Sequence, residues 1–403
     1  MLTERLEFAP ERDAEVFAAV PPAPAVFLLR AVDARAEPYV SKTANLRRRL
    51  QRLLGPVLER TKKLNLRDRV RVIEYAPTGS DFESGFLLYS VLRSAFPKTY
   101  SDRMRFRFAP LVKLHLENEY PRASITTRLG RLGGRSLYYG PFVSRVAAEK
   151  FMNDSLDFFK MRRCVDDLHP DPKFPGCIYS EMKMCLAPCF KGCSDEEYAA
   201  EVGRAQQFFE TGGQSLVREI ERQRNDASTN LDFEAAAALH TRLEKVKAAA
   251  AQLPEVVRRL DDLNGVMVQP SADRESVALF KVVAGRICHP VGLNVGQPAG
   301  AAHLTSKPQS MESRITEALA AVEVPKLRSA LEWMEHLALL KRWYYRTIKV
   351  GELFLADGGE LPMRRVVRGV SRVFRGEKPA GDLSETAGDY WKFRAREGGL
   401  NQT

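Results

Sequence analysis

Residues 25–54 read AVFLLRAVDARAEPYVSKTANLRRRLQRLL. Ala25–Ala31 and Pro38–Val40 have strand character around a polar turn, DARAE. Asn45 can cap the helix that follows, because its side-chain oxygen suits the first free backbone N–H groups. Leu46, Leu50, Leu53 and Leu54 then fall on one face at helical spacing. That stripe turns Arg47, Arg48 and Arg52 outward and leaves Arg49 at its edge. A strand over Val70–Glu74 and a helix over Glu83–Ala95, stopped by Pro97, complete a small α/β unit.

Outward from this unit, residues 105–145 read as strands joined by turns, among them Leu111–Leu116 and Ala123–Thr127. A helix is expected from Arg145 to Met161, and a nearly continuous helical stretch from Asp195 to Arg259. The break at Ser228-Thr229-Asn230 predicts an antiparallel hairpin of two amphipathic helices. Strands return at Gly265–Val268 and Ser276–Val283, and a helical tail follows. In that tail Trp333, Leu337, Leu340 and Tyr344 recur at the spacing of a core stripe, and His336 reads as a satisfied helix histidine. Asp357, Asp382 and Asp389 read as solvated loop residues.

At 403 residues the chain exceeds one ordinary domain, so two to four units are expected. No apolar run approaches the roughly 20 residues of a membrane helix. The acidic, amphipathic start, MLTERLEFAPERDAEVF, does not read as a signal peptide, so a cytoplasmic protein without membrane contact is expected. Sixty-two Lys and Arg against 51 Asp and Glu give a formal charge of +11. Eleven basic residues and two acidic ones lie between Lys42 and Arg71. A patch of this kind attracts nucleic-acid phosphates, although it could also be a solvated face with no partner.

Five of the six cysteines lie between residues 164 and 193. Cys164, Cys177, Cys185 and Cys189 form the pattern C-x12-C-x7-C-x3-C, and four thiolates can hold a structural zinc or an iron–sulfur cluster. Cys193 continues the spacing and competes for the fourth position. Arg162 and Arg163, beside Cys164, suit DNA contact or an anionic cluster.

Three segments in order resemble the UvrC family of nucleotide-excision-repair proteins. The first, with Ala25-Val26-Phe27, Tyr39-Val40-Ser41, Lys42 and the helix ANLRRRLQRLL, resembles a GIY-YIG nuclease module. The resemblance implies a site of tyrosines, a lysine and an arginine, with a glutamate holding one Mg²⁺ or Mn²⁺ where the nuclease works. Tyr39, Lys42 and Arg49 occupy the expected positions. Phe27 stands where the first tyrosine belongs, and Leu88 where the glutamate belongs. Glu83 is no simple substitute, lying five residues earlier and about 140° around the helix. Arg47, Arg48 and Arg52 are then expected to contact DNA phosphates, joined by Arg162 and Arg163.

The second segment, SLYYGPFVSRVAAEKFMNDSLDFFKMRRC, resembles the UvrC stretch that leads into the cysteines. The resemblance implies a 4Fe-4S cluster on Cys164, Cys177, Cys185 and Cys189, with zinc as the alternative. The third, LDFEAAAAL with Arg242, Leu243 and Val246, resembles a UVR motif, the hairpin that binds a UvrB-like partner. Leu231, Leu239, Leu243 and Val246 would form its seam, with Phe233 the projecting anchor and Leu239 and Leu243 sharing the partner contact. An intramolecular coiled-coil hairpin would show the same pattern.

The expected architecture is α+β and multidomain. A degenerate GIY-YIG-like α/β domain spans residues 1–104, and a strand-rich connector with the cysteine-cluster segment spans 105–199. A UVR-like helical hairpin covers 200–260, and a mixed α/β C-terminal domain, too short for a complete RNase H-like nuclease, covers 261–403. The expected function is excision repair, with DNA and a UvrB-like protein as partners and an impaired nuclease. The alternatives are an active single-incision endonuclease and an iron–sulfur nucleic-acid-binding protein outside excision repair.

Overall fold

The computed structural model describes residues 2–33, 35–56, 64–165, 167–296 and 309–377. The first unit runs β1 (Glu4–Glu7), α1 (Asp13–Ala19), β2 (Ala25–Ala31), β3 (Tyr39–Thr43), α2 (Leu46–Leu54), β4 (Val70–Pro77), α3 (Asp81–Ala95) and α4 (Tyr100–Met104). Its antiparallel sheet has the order β1-β4-β2-β3. The two-residue period of a strand sorts β2 cleanly. Ala25, Phe27 and Leu29 face the leucine stripe of α2, whereas Val26 and Leu28 pack toward Leu87, Leu88 and Val91 of α3. Asn45 caps α2 as expected, accepting the Arg48 backbone N–H at 2.9 Å. The strand β1 was not expected from the acidic N-terminus; it is a short, charged edge strand, which protects the sheet from pairing with other chains.

The middle of the chain builds β5 (Leu111–Leu114), β6 (Ala123–Thr126), β7 (Leu137–Gly140), α5 (Arg145–Leu156), α6 (Ile178–Glu181), α7 (Asp195–Glu210), α8 (Gln214–Thr229), α9 (Phe233–Ala251) and the two-residue strand β8 (Arg258–Arg259). The sheet order is β6-β5-β7-β8. The helix α5 stops at Leu156 rather than Met161, because Phe159 and Met161 turn into the core instead of following the helical face. The expected helical run from Asp195 has a second break, at Gly212-Gly213. Gly213 has φ +92°, and a Cβ there would stand 2.9 Å from the Ala250 methyl. The run also ends at Ala251, short of Arg259, which pairs instead with Tyr139 in the sheet.

The last unit comprises β9 (Gly265–Pro270), β10 (Ser276–Val283), β11 (Arg286–Ile287), β12 (Val291–Asn294), α10 (Met311–Ala320), α11 (Ala330–Tyr344), β13 (Glu352–Leu355) and α12 (Met363–Phe374). The tail is therefore not purely helical: β13 pairs antiparallel with β9 and extends the sheet. Val366, Val370 and Val373 of α12 pack on that sheet, and Arg364, Arg365 and Arg368 face solvent. Asp357 is exposed in a turn, as expected, and Asp382 and Asp389 lie outside the described residues. Among the described residues no helix is long and apolar enough to cross a membrane.

One apolar cluster runs from α3 through the middle sheet and α7–α9 to α11. Phe82 meets Phe280 at 5.1 Å and Trp343 at 6.0 Å between ring centroids. Beside it, Glu335 is fully buried and accepts hydrogen bonds from Tyr89 (2.7 Å) and Tyr100 (2.8 Å). Arg93 donates to the Tyr89 hydroxyl at 3.0 Å and pairs with Glu332. His336 is a satisfied histidine: Nδ1 accepts the Ile287 N–H at 3.0 Å.

Burial pushes the His336 pKa down to about 4, with Arg93, Arg286 and His289 adding to the effect and Glu332 opposing it. A histidine held neutral stabilises the fold fully above its unfolded pKa of about 6.5. As pH falls the unfolded chain takes up the proton first, so stability should drop by roughly 2 kcal/mol between pH 7 and pH 5. Denaturant titrations at both values test this. His336→Gln, whose amide oxygen can still accept from Ile287, should show a smaller drop.

Candidate functional site

The candidate residues of the first unit fall on two faces of one sheet. Tyr39 stacks toward Phe27, 6.0 Å between centroids, and its hydroxyl accepts from Arg49 Nη2 at 2.8 Å. The Nε of Arg49 is buried without a partner. Lys42, an odd number of residues along β3, emerges on the opposite face and pairs with Asp81 in the first turn of α3. Asp81 also receives Arg346 at 2.5 Å, from the chain just after α11. Burial works against its charge, but the bonds and charges of Lys42 and Arg346 prevail and lower the Asp81 pKa. Tyr39 and Arg49 are thus brought together, and Lys42 is not with them.

Leu88, at the position where a carboxylate is expected, packs among Val26, Leu28, Leu87 and Val91. Glu83 caps its own helix, accepting the Gly79 N–H at 2.7 Å, and burial raises its pKa. Asp81 and Arg346 were missed by sequence reasoning. An acidic residue after Ser80 looks like a routine helix start, and nothing local links it to a residue 265 positions away.

Several expected DNA contacts are corrected. Arg47 does not point outward; Nε and Nη2 donate to the carbonyls of Val20 (2.8 Å) and Ala18 (3.1 Å). Arg162 is 3% exposed, with Nε on the Tyr120 carbonyl at 2.8 Å. Arg163 is largely buried and pairs with Asp157 at 2.7 Å. Each is engaged in holding the fold, which an arginine's donor-rich head does readily where carbonyls are exposed. Arg48 and Arg52 are exposed as expected, and Arg60, Lys62 and Lys63 of the basic run lie outside the described residues.

The cysteines gather around α6, with Cys177 at its N-cap. Burial pushes the Cys185 thiol up to about 11; the Ala187 N–H, 3.3 Å from its sulfur, works the other way, and the proximity of Cys164, Cys189 and Cys177 adds to the rise. The Cys189 thiol is also raised, first by burial and then by Cys177 and Cys164. Cys193 stands apart, raised by burial and then by Glu197, Asp195 and Cys189. Arg162 Nη1 lies 3.5 Å from the Cys164 sulfur. Among the described residues, no group of three or more His, Cys, Asp or Glu side chains is positioned to hold a metal ion.

In the hairpin, α8 and α9 pack antiparallel across Leu216, Val217, Ile220, Leu243 and Val246. Leu243 and Val246 are fully buried and Leu239 is half-buried against the same core. Leu243, expected to face a partner, is instead fully buried in the internal seam, and Leu239 lies half-buried at its edge. The residues left bare are at the tip, Leu231 (71% exposed, φ +59°) and Phe233 (67% exposed). Asp232 between them caps α9 by accepting from Ala235 N at 3.0 Å.

Residues 110–208 match the family model of the UvrC/Cho excinuclease middle domain, and residues 214–249 match that of the UvrB/uvrC motif. These segments hold the middle sheet, the cysteines and the hairpin, and through them the chain is similar to the UvrC family. Similar proteins include the UvrABC system protein C of Carboxydothermus hydrogenoformans, 30% identical over 236 residues, covering 57% of this chain and 38% of that protein. That of Idiomarina loihiensis is 30% identical over 207 residues, covering 49% and 32%, and that of Citrifermentans bemidjiense is 25% identical over 275 residues, covering 66% and 42%. The matches thus span well under half the length of these relatives. No solved structure matches the chain.

The two faces of the hairpin separate by stability. Leu243→Ala should cost about 2–5 kcal/mol in chemical denaturation, as a fully buried leucine does. Phe233→Ala should stay within about 0.5 kcal/mol of the wild type, as an exposed position does.

Proposed function

We propose that this protein is a UvrC-like excision-repair subunit that binds DNA and joins a UvrB-like protein through the tip of its helical hairpin. The observation that carries this reading is the exposed Phe233, with Leu231, at the tip of a hairpin matching the UvrB/uvrC motif. An aromatic left bare beside small alanines is the kind of centre that dominates binding energy. The same hairpin seals its lower half internally, so the tip is presented on a rigid support.

The N-terminal unit is proposed to hold phosphate rather than to cut. Three features support this: Phe27 has no hydroxyl, Leu88 sits in an apolar cluster, and Asp81 already neutralises Lys42. A divalent ion needs a carboxylate able to leave its partners, and Asp81 is shared between two cations. Arg48 and Arg52, exposed on α2, would supply phosphate contact next to Tyr39 and Arg49.

The cysteines are proposed to carry a 4Fe-4S cluster. What supports this is the donor chemistry: four thiols near α6, two of which receive N–H groups from Arg162 and Ala187, although among the described residues the sulfurs are not drawn together into a ligating set. Bound there, the cluster would staple a segment in which α6 is a single turn. Cys193, set among the acids Glu197 and Asp195, is left out.

Incubation with lesion-containing duplex, UvrA, UvrB, ATP and Mg²⁺ should give no nick above background, with the protein retained on the UvrB–DNA complex. A nick lost in Lys42→Ala would overturn the phosphate-holding reading. Phe233→Ala should weaken UvrB binding about tenfold or more by calorimetry; unchanged affinity would remove the hairpin as the contact. Anaerobically purified protein should contain iron and acid-labile sulfide, lost in Cys185→Ser and kept in Cys193→Ser. Zinc in place of iron would overturn the cluster assignment.

A further inference from the structure

The strands β6 and β7 both run antiparallel to β5, one on each side of it, so they are parallel to one another. The chain must therefore travel back along the sheet between them, and it does so in residues 127–136, TRLGRLGGRS. From residue 121 to residue 148 there are five arginines and no acidic residue. Glycines interrupt the run, so it does not look like a charge block.

The crossover is fixed by its backbone rather than by its charges. Thr126 Oγ1 accepts from the Arg128 N–H at 3.0 Å and donates to the Arg128 carbonyl at 2.9 Å. The Gly130 N–H donates to the Tyr138 hydroxyl at 2.8 Å, and Gly134 N–H closes a turn on the Arg131 carbonyl at 3.1 Å. Leu129 anchors one side on the main core. The acid bonded to the crossover, Glu117, is already held by Ser136 and Lys113, which against the pull of burial hold its carboxyl down to about 2.

What remains outside is Arg128, Arg131 and Arg135. All three are exposed, and none has an ion pair or side-chain hydrogen bond among the described residues. Other surface arginines, by contrast, are tied to acids: Arg12 to Glu15, Arg103 to Glu37 and Arg145 to Glu149. We infer that this crossover is a nucleic-acid contact, gripping the phosphodiester backbone through Arg128, Arg131 and Arg135. Guanidinium forks match phosphate oxygens bidentately. Gly133, with φ +79° and open space where a Cβ would stand, keeps the loop's profile low enough to approach a sugar–phosphate chain. A membrane surface fits less well, because Leu132 is the one exposed large apolar side chain of the crossover. The inference rests on the DNA-binding reading above and relocates its main contact away from Arg47, Arg162 and Arg163.

The test is fluorescence anisotropy of a labelled duplex of random sequence against the full chain, repeated over a range of salt concentrations. The variants are wild type and the triple Arg128→Gln/Arg131→Gln/Arg135→Gln, whose unfolding midpoint should match the wild type. The triple variant should bind more weakly, with the slope of log K against log salt shallower by about 2.7, from about 0.9 for each lost phosphate contact. Wild-type binding with an unchanged slope in the variant would overturn this inference alone. Failure of the wild type to bind duplex or single strand would overturn the DNA-binding reading beneath it as well. A variant that loses binding only to polyglutamate, with its DNA slope intact, would overturn it in favour of an acidic protein partner.

Discussion

The contact between α3 and α11 holds the ends of the described chain in one body. The two helices lie antiparallel: Asp81 at the start of α3 meets Arg346 just beyond α11, and Arg93 near the end of α3 meets Glu332 near the start of α11. Between these ties Glu335 is fully buried, with one phenol on each carboxylate oxygen. A carboxylate taken from water is costly, and the arrangement persists because its lone pairs are met and Phe86, Tyr89 and His336 pack around it. Removing either phenol would leave the charge under-solvated, so the network specifies one docking geometry more than it adds stability.

That docking reaches the first unit's chemistry. Because α11 fixes Arg346 beside Asp81, Asp81 is shared between two cations, and Lys42 is held on the α3 face of the sheet. Tyr39 and Arg49 remain on the α2 face with Phe27. Side chains on opposite faces of a sheet cannot converge on one phosphate without rearrangement, and Lys42 is in addition already paired with Asp81.

The elements legible in the sequence are those whose signal is local. The alternation of β2, the leucine stripe of α2 with its Asn45 cap, and the hairpin break near Asn230 all follow from periodicity and capping. What was not legible depends on distant partners. Nothing in Glu352–Leu355 says that β9 lies beside it, and Phe159 leaves the helical pattern only because a core residue, Phe208, lies 5.5 Å away. The candidate sites divide the same way. The exposed Phe233 is expected from the resemblance of LDFEAAAAL to a UVR motif, whereas Leu243 reads as a partner contact because a seam looks alike whether it closes on its own chain or another.

The arginines carry that lesson to the surface charge. Counting along the sequence puts the basic patch between Lys42 and Arg71, yet within it Arg47 holds two carbonyls and Arg49 holds Tyr39. Arg67 binds Asp13 and the carbonyls of Leu54 and Pro10. The crossover between β6 and β7 has fewer basic residues, but Glu117 beside it is taken by Ser136 and Lys113 and the backbone is satisfied internally, so its guanidiniums stay in water. A phosphate is attracted by charge that is free to turn toward it, and the local sequence count does not measure that. The strand order does: placing β5 between β6 and β7 forces the crossover onto the surface and with it the three arginines.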